Sequence, residues 1–116
     1  MLEDKLTEVV ESGKKPGWDG YDAEPIDNKS AQEAARLIEL LPDNLQKPTI
    51  TGEPDGKIAL EWNIGNQVML SMSFDLGSIY YAGLLGMNTA HGERKFFSEI
   101  PDDIYKILSK YFLLAR

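Results

Sequence analysis

Few residues in this chain of 116 have the types and spacing that catalysis requires. His91 is the single histidine, and histidine is the commonest general base in enzymes. A general base needs a nucleophile or a substrate pocket beside it, and no sequence pattern supplies either for His91. A lone histidine without a partner motif is typical of a loop or surface position, and we expect that setting here.

A group of acidic side chains is the other candidate for chemistry. Asp19 and Asp22, with Glu24, have the oxygen ligands that calcium and magnesium prefer, but the spacing of a calcium-binding loop is absent. The sequence therefore predicts no catalytic residue, no metal ligand and no cofactor. A small metal-dependent hydrolase that uses Asp19, Asp22 and His91 remains the alternative function.

The charge of the chain is −7 and lies in its first half. Residues 1–61 hold 14 Asp and Glu against 7 Lys and Arg, whereas residues 62–116 hold 5 of each kind. Without a basic patch, binding to nucleic acid or to an anionic membrane is disfavoured. The acidic half favours solubility and permits binding to a basic protein surface.

Length and composition predict one cytoplasmic domain over residues 1–116. The chain has no cysteine, which excludes disulfides and cysteine-based zinc sites and fits a reducing compartment. No apolar run approaches the roughly 20 residues that cross a bilayer. The acidic residues near the N-terminus also differ from the basic start of a secretory signal peptide.

Apolar and polar residues alternate from residue 48 onward, which is the period of β-strands. The strands are predicted at residues 49–51, 57–63, 67–74 and 78–85. Because such short connections join antiparallel neighbours, we predict a four-stranded meander over residues 48–85. Residues 86–93 are predicted as a looser connection, and Arg94–Ser98 as a fifth strand at the sheet edge.

Helical spacing of apolar residues predicts three helices that cover one face of this sheet. They are predicted over residues 1–12, from Asn28 or Lys29 to Leu41, and from about Pro101 to Ala115. Asp102 and Asp103 are explained by the third helix, because negative charge stabilises a helix start. The predicted fold is therefore α+β, a four- to five-stranded antiparallel meander with helices at both chain ends packed mainly on one face, and with Trp62 and Phe74 in the core.

Residues 15–26 are predicted as a loop, because its prolines and glycines prevent a helix from continuing. The loop nevertheless carries Trp18 and Tyr21, whose large side chains gain from burial. We therefore predict that it packs back against the edge of the sheet with its acidic residues in water. The alternative is a recognition loop, since binding residues concentrate on loops. The candidate partner-binding residues are Trp18, Asp19, Tyr21, Asp22, Glu24 and, on the sheet, Tyr80.

The order Trp18-Asp19-Gly20-Tyr21-x-Ala23-x-Pro25-Ile26, followed by a short helix, resembles the opening of a family of small bacterial proteins. Members of that family continue with strands similar to Ile58–Trp62 and Tyr80–Gly83, so the resemblance spans residues 16–98. The family brings no assigned activity and no functional residue. Many members are passengers of phage or mobile elements, which implies the same setting for this chain.

These observations together predict a non-enzymatic module that binds a protein partner. The residues expected on the exposed sheet face are Lys57, Ala59, Glu61, Met69, Ser71, Ser73 and Tyr80. Apolar side chains outside a core often mark contact surfaces, so this face or the sheet edge is also a candidate homodimer surface. A mobile-element inhibitor or an immunity-type protein belongs to the same class.

Overall fold

The computed structural model describes residues 2–114, which form three helices and one antiparallel sheet. This arrangement confirms the predicted α+β class. The helices are α1 (Leu2–Ser12), α2 (Asn28–Leu40) and α3 (Asp102–Tyr111). The strands are β1 (Thr49–Gly52), β2 (Ile58–Ile64), β3 (Val68–Asp75), β4 (Ser78–Leu85) and β5 (Asn88–Lys95). Met1, predicted in the first helix, lies outside the described residues, as does Ala115. The third helix ends at Tyr111, which corrects the prediction that it continues to Ala115.

The sheet is a five-stranded meander, because its spatial order β1-β2-β3-β4-β5 is also its order along the chain. Strand β5 corrects the prediction of a fifth strand at Arg94–Ser98. It spans Asn88–Lys95 and pairs with β4 over its whole length, from Leu85 opposite Asn88 to Ser78 opposite Lys95. Residues 88–92 have little hydrophobic alternation, so pairing with β4 rather than local propensity places this strand.

One face of the sheet packs against the helices and forms the core. Trp62 and Phe74 are fully buried there, which confirms their predicted positions. The ring of Trp62 lies 6.4 Å from that of Phe112, measured between centroids, and Phe74 packs edge-on against Phe96 at 6.2 Å. Other buried residues on the same face of β2, β3 and β4 are Ile58, Leu60, Leu70, Met72, Ile79 and Tyr81.

Helix α2 is joined to the sheet by the buried hydroxyl of Ser30. Its Oγ donates to the carbonyl oxygen of Phe74 at 2.6 Å and accepts from the amide of Ile58 at 2.9 Å. The regular pairing of β2 with β3 ends one step away, at Ala59 opposite Ser73. The hydroxyl therefore completes the sheet where its main-chain ladder stops, and it fixes the start of α2 over the core.

Candidate functional site

Residues 17–24 form a closed loop, which we call the knuckle. The amide of Gly17 donates to the carbonyl oxygen of Ala23 at 2.7 Å, so the two ends of the loop meet. Inside it, Oδ1 of Asp19 accepts from the amides of Tyr21 at 2.9 Å and Ala23 at 3.3 Å. The carboxylate of Asp19 therefore holds the main chain of the knuckle together.

Trp18 attaches the knuckle to the sheet. Its Nε1 donates to the carbonyl oxygen of Glu24 at 2.6 Å, and its ring packs against the core while remaining partly exposed. The indole edge lies against Gly52 of β1, where an added Cβ would stand 3.0 Å from Cη2 of Trp18. A side chain at position 52 would collide with the indole, so glycine there makes room for it.

The chain after the knuckle is held by two further glycines. Ile26 packs directly on Gly13, whose carbonyl oxygen accepts from the Ile26 amide at 2.8 Å. Gly56 has a φ of 87° and lies so close to the carbonyl oxygen of Pro25 that an added Cβ would be 2.5 Å away. Its own carbonyl oxygen accepts from the Asp27 amide at 2.7 Å. The prediction that this loop packs against the sheet edge is thus confirmed for Trp18 and Ile26, whereas Tyr21, which was expected to gain from burial with Trp18, is exposed.

The tip of the knuckle is the part that faces solvent. Tyr21 is 84% exposed, and Asp22 and Glu24 are exposed beside it. Of the six predicted contact residues, Trp18 and Asp19 are therefore engaged in holding the loop. Tyr21, Asp22 and Glu24 are free to meet another molecule.

None of the helices within residues 2–114 covers the sheet face opposite the core, and we call it the open face. Its central row of cross-strand neighbours is Glu61, Ser71, Ala82 and His91. The row on one side of it is Asn63, Met69, Leu84 and Thr89, and the row on the other side is Ala59, Ser73, Tyr80 and Glu93.

The open face is grooved. The short side chains of Ser71 and Ala82 form the floor, and Met69, Leu84 and Tyr80 rise on either side of it with exposures of 43%, 39% and 44%. Two adjoining hollows of about 570 and about 400 Å³ share Ser71, Ala82 and His91. This size is within the usual range for binding clefts, although the groove is shallow and open along its length.

Two residues predicted to be exposed on this face contribute little to it. Ala59 has the expected orientation but is only 2% exposed, because its methyl group lies between the longer side chains of Thr51 and Ser73 on the neighbouring strands. Lys57 precedes β2 and turns to Asp27 and Asp75, so it contributes no free charge to the face.

The ion pairs of Lys57 join the start of α2 to the end of β3. Its Nζ lies 2.9 Å from Oδ2 of Asp27 and 3.1 Å from Oδ1 of Asp75. The hydrogen bonds to these two carboxylates raise the pKa of Lys57 above its ordinary value. The hydrogen bond from Lys57 likewise lowers the pKa of Asp27, helped by the amide of Lys29. This cluster stabilises the fold and engages the charge of Lys57.

Tyr80 and His91 line the groove at its β4–β5 end. The negative charge of Glu93 raises the pKa of the Tyr80 phenol above its ordinary value. His91 lies on β5 rather than in the predicted loop. Ser71, the nucleophilic side chain in its row, is two strands away, about 10 Å, and this distance is too long for direct proton transfer.

The residues of the alternative hydrolase are not brought together. Asp19 belongs to the knuckle, which packs on β1, whereas His91 lies on β5 at the opposite edge of the sheet. Four interstrand spacings separate these edges, about 19 Å. No group of three or more potential metal ligands of the His, Cys, Asp and Glu types occurs within residues 2–114. The geometry gives Asp19, Asp22 and His91 no common site.

One buried acid lies outside both surfaces. Glu33 on α2 is 6% exposed, and neither of its carboxylate oxygens has a hydrogen-bond partner among the described residues. A buried polar group without a partner costs folding free energy. Sequence pattern does not predict this burial, because Glu33 stands where an acidic residue near a helix start is common.

Comparison of the chain with protein-family models, with curated proteins and with solved structures gives no match. Within residues 2–114, the helices are all too short or too polar to traverse a bilayer. The candidate site has two parts, the groove of the open face and the tip of the knuckle.

Proposed function

We propose that this protein is a non-enzymatic interaction module that binds a protein partner on its open face. The observation that carries the proposal is the groove between Met69, Leu84 and Tyr80. These three large side chains are each about two-fifths exposed on a sheet face that no helix covers. Aromatic residues and methionine are enriched where proteins meet, and exposed apolar patches mark such contacts.

The knuckle supports the same function as a second contact. Tyr21 stands at the tip of a loop whose main chain is fixed by Asp19 and Trp18. A tyrosine on a rigid loop loses little conformational entropy when it binds, and tyrosine supplies both apolar area and a hydroxyl. Asp22 and Glu24 give this tip the acidic character of the first half of the chain.

The biological setting is part of the proposal. The acidic composition and the resemblance of residues 16–98 to mobile-element passengers support a cytoplasmic inhibitor or immunity-type protein. The partner is then a protein rather than nucleic acid or membrane. A second copy of the chain, bound through the open face or through the free edge of β5, is the competing partner.

A matched pair of variants tests the proposal. Leu84 on the open face and Leu40 on α2 are 39% and 38% exposed, so arginine at either position is equally tolerable to folding. Tagged wild-type, Leu84→Arg and Leu40→Arg proteins are used to capture partners from the native host, with quantitative mass spectrometry as the readout.

We expect Leu84→Arg to reduce the recovery of partner proteins captured by wild type by about tenfold or more. A charge at a position that becomes buried in an interface costs binding free energy. Leu40→Arg should retain them. Equal retention by both variants, with unchanged circular dichroism, contradicts binding at the open face.

A further inference from the structure

We infer that the open face receives a basic amphipathic helix from its partner. This inference rests on the proposed function and adds the chemistry and shape of the bound segment. It follows from the charges along the groove and from the spacing of its walls.

The charges on the face leave an excess of carboxylates. Lys57 is fully engaged by Asp27 and Asp75, and Lys95 lies 3.9 Å from Glu93. Two further acids lie at the β1–β2 end of the face, Glu53 directly after β1 and Glu61 on β2.

Glu53 and Glu61 have no cation within 4.0 Å among residues 2–114. Oε1 of Glu53 accepts from the hydroxyl of Ser73 at 2.6 Å, and Oε1 of Glu61 accepts from Thr51 at 3.5 Å. Both are partly exposed, so each carboxylate retains acceptor capacity. Glu61 lines the groove, and Glu53 reaches its wall at Ser73. Charges on the two partners of an interface are arranged to be complementary, so the segment that binds here carries lysine or arginine at this end.

The same charges disfavour a second copy of the chain on this face. A twofold contact sets this face against its own copy, so both sides of the interface would carry the same excess of carboxylates, including Glu53 and Glu61. Like charges brought together in an interface cost affinity, and each chain already has a net charge of −7. A basic partner relieves this repulsion instead of adding to it.

The spacing of the walls indicates a helix. Met69 and Ser73 are four residues apart on β3, as are Tyr80 and Leu84 on β4, which separates the main chain under the two walls by about 13 Å. A helix with its side chains is about 10–12 Å wide, so it lies over the groove and places one row of its side chains between the walls. From β2 to β5 the groove is about 14 Å long, enough for two to three helical turns. The small floor of Ser71 and Ala82 lets the apolar side chains of such a helix reach the sheet.

Two synthetic helical peptides test the inference. They share leucines on one face, and their other positions are lysine in one peptide and glutamate in the other. Binding is measured by fluorescence anisotropy at physiological salt. Glu61→Gln and Glu39→Gln remove one negative charge each, the first from the groove and the second from the exposed side of α2. Glu53→Gln is a second groove variant.

We expect the leucine–lysine peptide to bind and the leucine–glutamate peptide not to bind. Glu61→Gln and Glu53→Gln should each weaken binding about fivefold, Glu39→Gln less than twofold, and Leu84→Arg should abolish it. Equal weakening by Glu61→Gln and Glu39→Gln overturns the inference, because the attraction is then a general effect of net charge. Absence of binding by the lysine peptide overturns it as well.

Two further outcomes separate this inference from the proposed function. If the glutamate peptide binds as tightly as the lysine peptide, the basic partner is wrong while the open face remains a binding surface. If light scattering shows a wild-type dimer that Leu84→Arg dissociates, the occupant is a second copy. Retention of host partners by Leu84→Arg instead refutes the proposed function itself.

Discussion

The indole of Trp18 donates a hydrogen bond to the carbonyl oxygen of Glu24 at 2.6 Å, and the edge of the same ring lies against Gly52. One side chain thus closes the knuckle and fixes it to the edge strand β1. Tyr21 is consequently presented on a loop with little freedom, which suits a binding contact.

Replacement of Trp18 should destabilise the protein. Trp18→Ala removes both the ring contact and the donor, and we expect it to lower the free energy of unfolding by about 2–4 kcal/mol. Trp18→Phe keeps a ring and loses the donor, so its cost should be about 1 kcal/mol. Urea unfolding followed by the fluorescence of Trp62 measures both. If Trp18→Ala unfolds at the wild-type midpoint, the knuckle is not attached as described.

Replacement of Ser30 should weaken the junction between α2 and the sheet. Ser30→Ala leaves the Ile58 amide and the Phe74 carbonyl without the buried hydroxyl, at a cost of about 1–3 kcal/mol. The amide of Ile58 should also exchange its hydrogen faster. Ser98→Ala, at an exposed position, is the control and should leave stability unchanged. An Ile58 amide that stays equally protected in Ser30→Ala would argue against this junction.

Replacement of Glu33 should stabilise the protein. Its carboxylate is buried without a partner among the described residues, so Glu33→Met removes a desolvation cost and adds apolar contact. We expect a gain of about 1–3 kcal/mol in thermal or urea unfolding. Glu39→Met on the exposed side of the same helix should give no comparable gain. A loss of stability in Glu33→Met would show that this carboxylate has a stabilising role.

Replacement of Lys57 should destabilise the protein in a pH-dependent way. The pKa of Asp27 is lowered in the folded protein. Its contribution to stability is therefore complete above pH 3.8, its ordinary pKa, and is lost as the pH falls through its pKa in the folded protein. The pKa of Lys57 is raised in the folded protein. Its contribution to stability is therefore complete below pH 10.5, its ordinary pKa, and is lost as the pH rises through its pKa in the folded protein. The stability difference between wild type and Lys57→Met should therefore be largest between these limits, on the order of 1 kcal/mol. Urea midpoints for the two proteins at about pH 7 and about pH 2.5 measure it, and a difference that is the same at both values contradicts the ion-pair cluster.

Strand β4 is an element whose position and exposed residues are predicted correctly from the sequence. Its bounds, Ser78–Leu85, and the exposure of Tyr80 follow from alternation between two turns, which is local information. The bounds of β5 do not follow from local sequence, because residues 88–92 have only small and polar side chains. These residues form a strand because they pair with β4. His91 was consequently predicted in a loop, although it lies on the open face.

The groove could not be predicted from the sequence, because it also depends on pairing between strands. Met69 and Tyr80 were predicted on the exposed face from their alternation, and both are exposed there. The hollow between them depends on which residues are cross-strand neighbours, such as Ser71 with Ala82. The burial of Ala59 similarly depends on its neighbours on β1 and β3. Register between strands, rather than the pattern within one strand, shapes this surface.

Photo-crosslinking in the native host tests most directly whether the open face is the binding surface. A benzophenone amino acid is placed at Leu84 in one protein and at Leu40 in another, two positions of nearly equal exposure on opposite sides of the sheet. We predict a discrete adduct with a partner protein from position 84 and none from position 40. Adducts from position 40 alone, or equal adducts from both positions, would contradict the proposal.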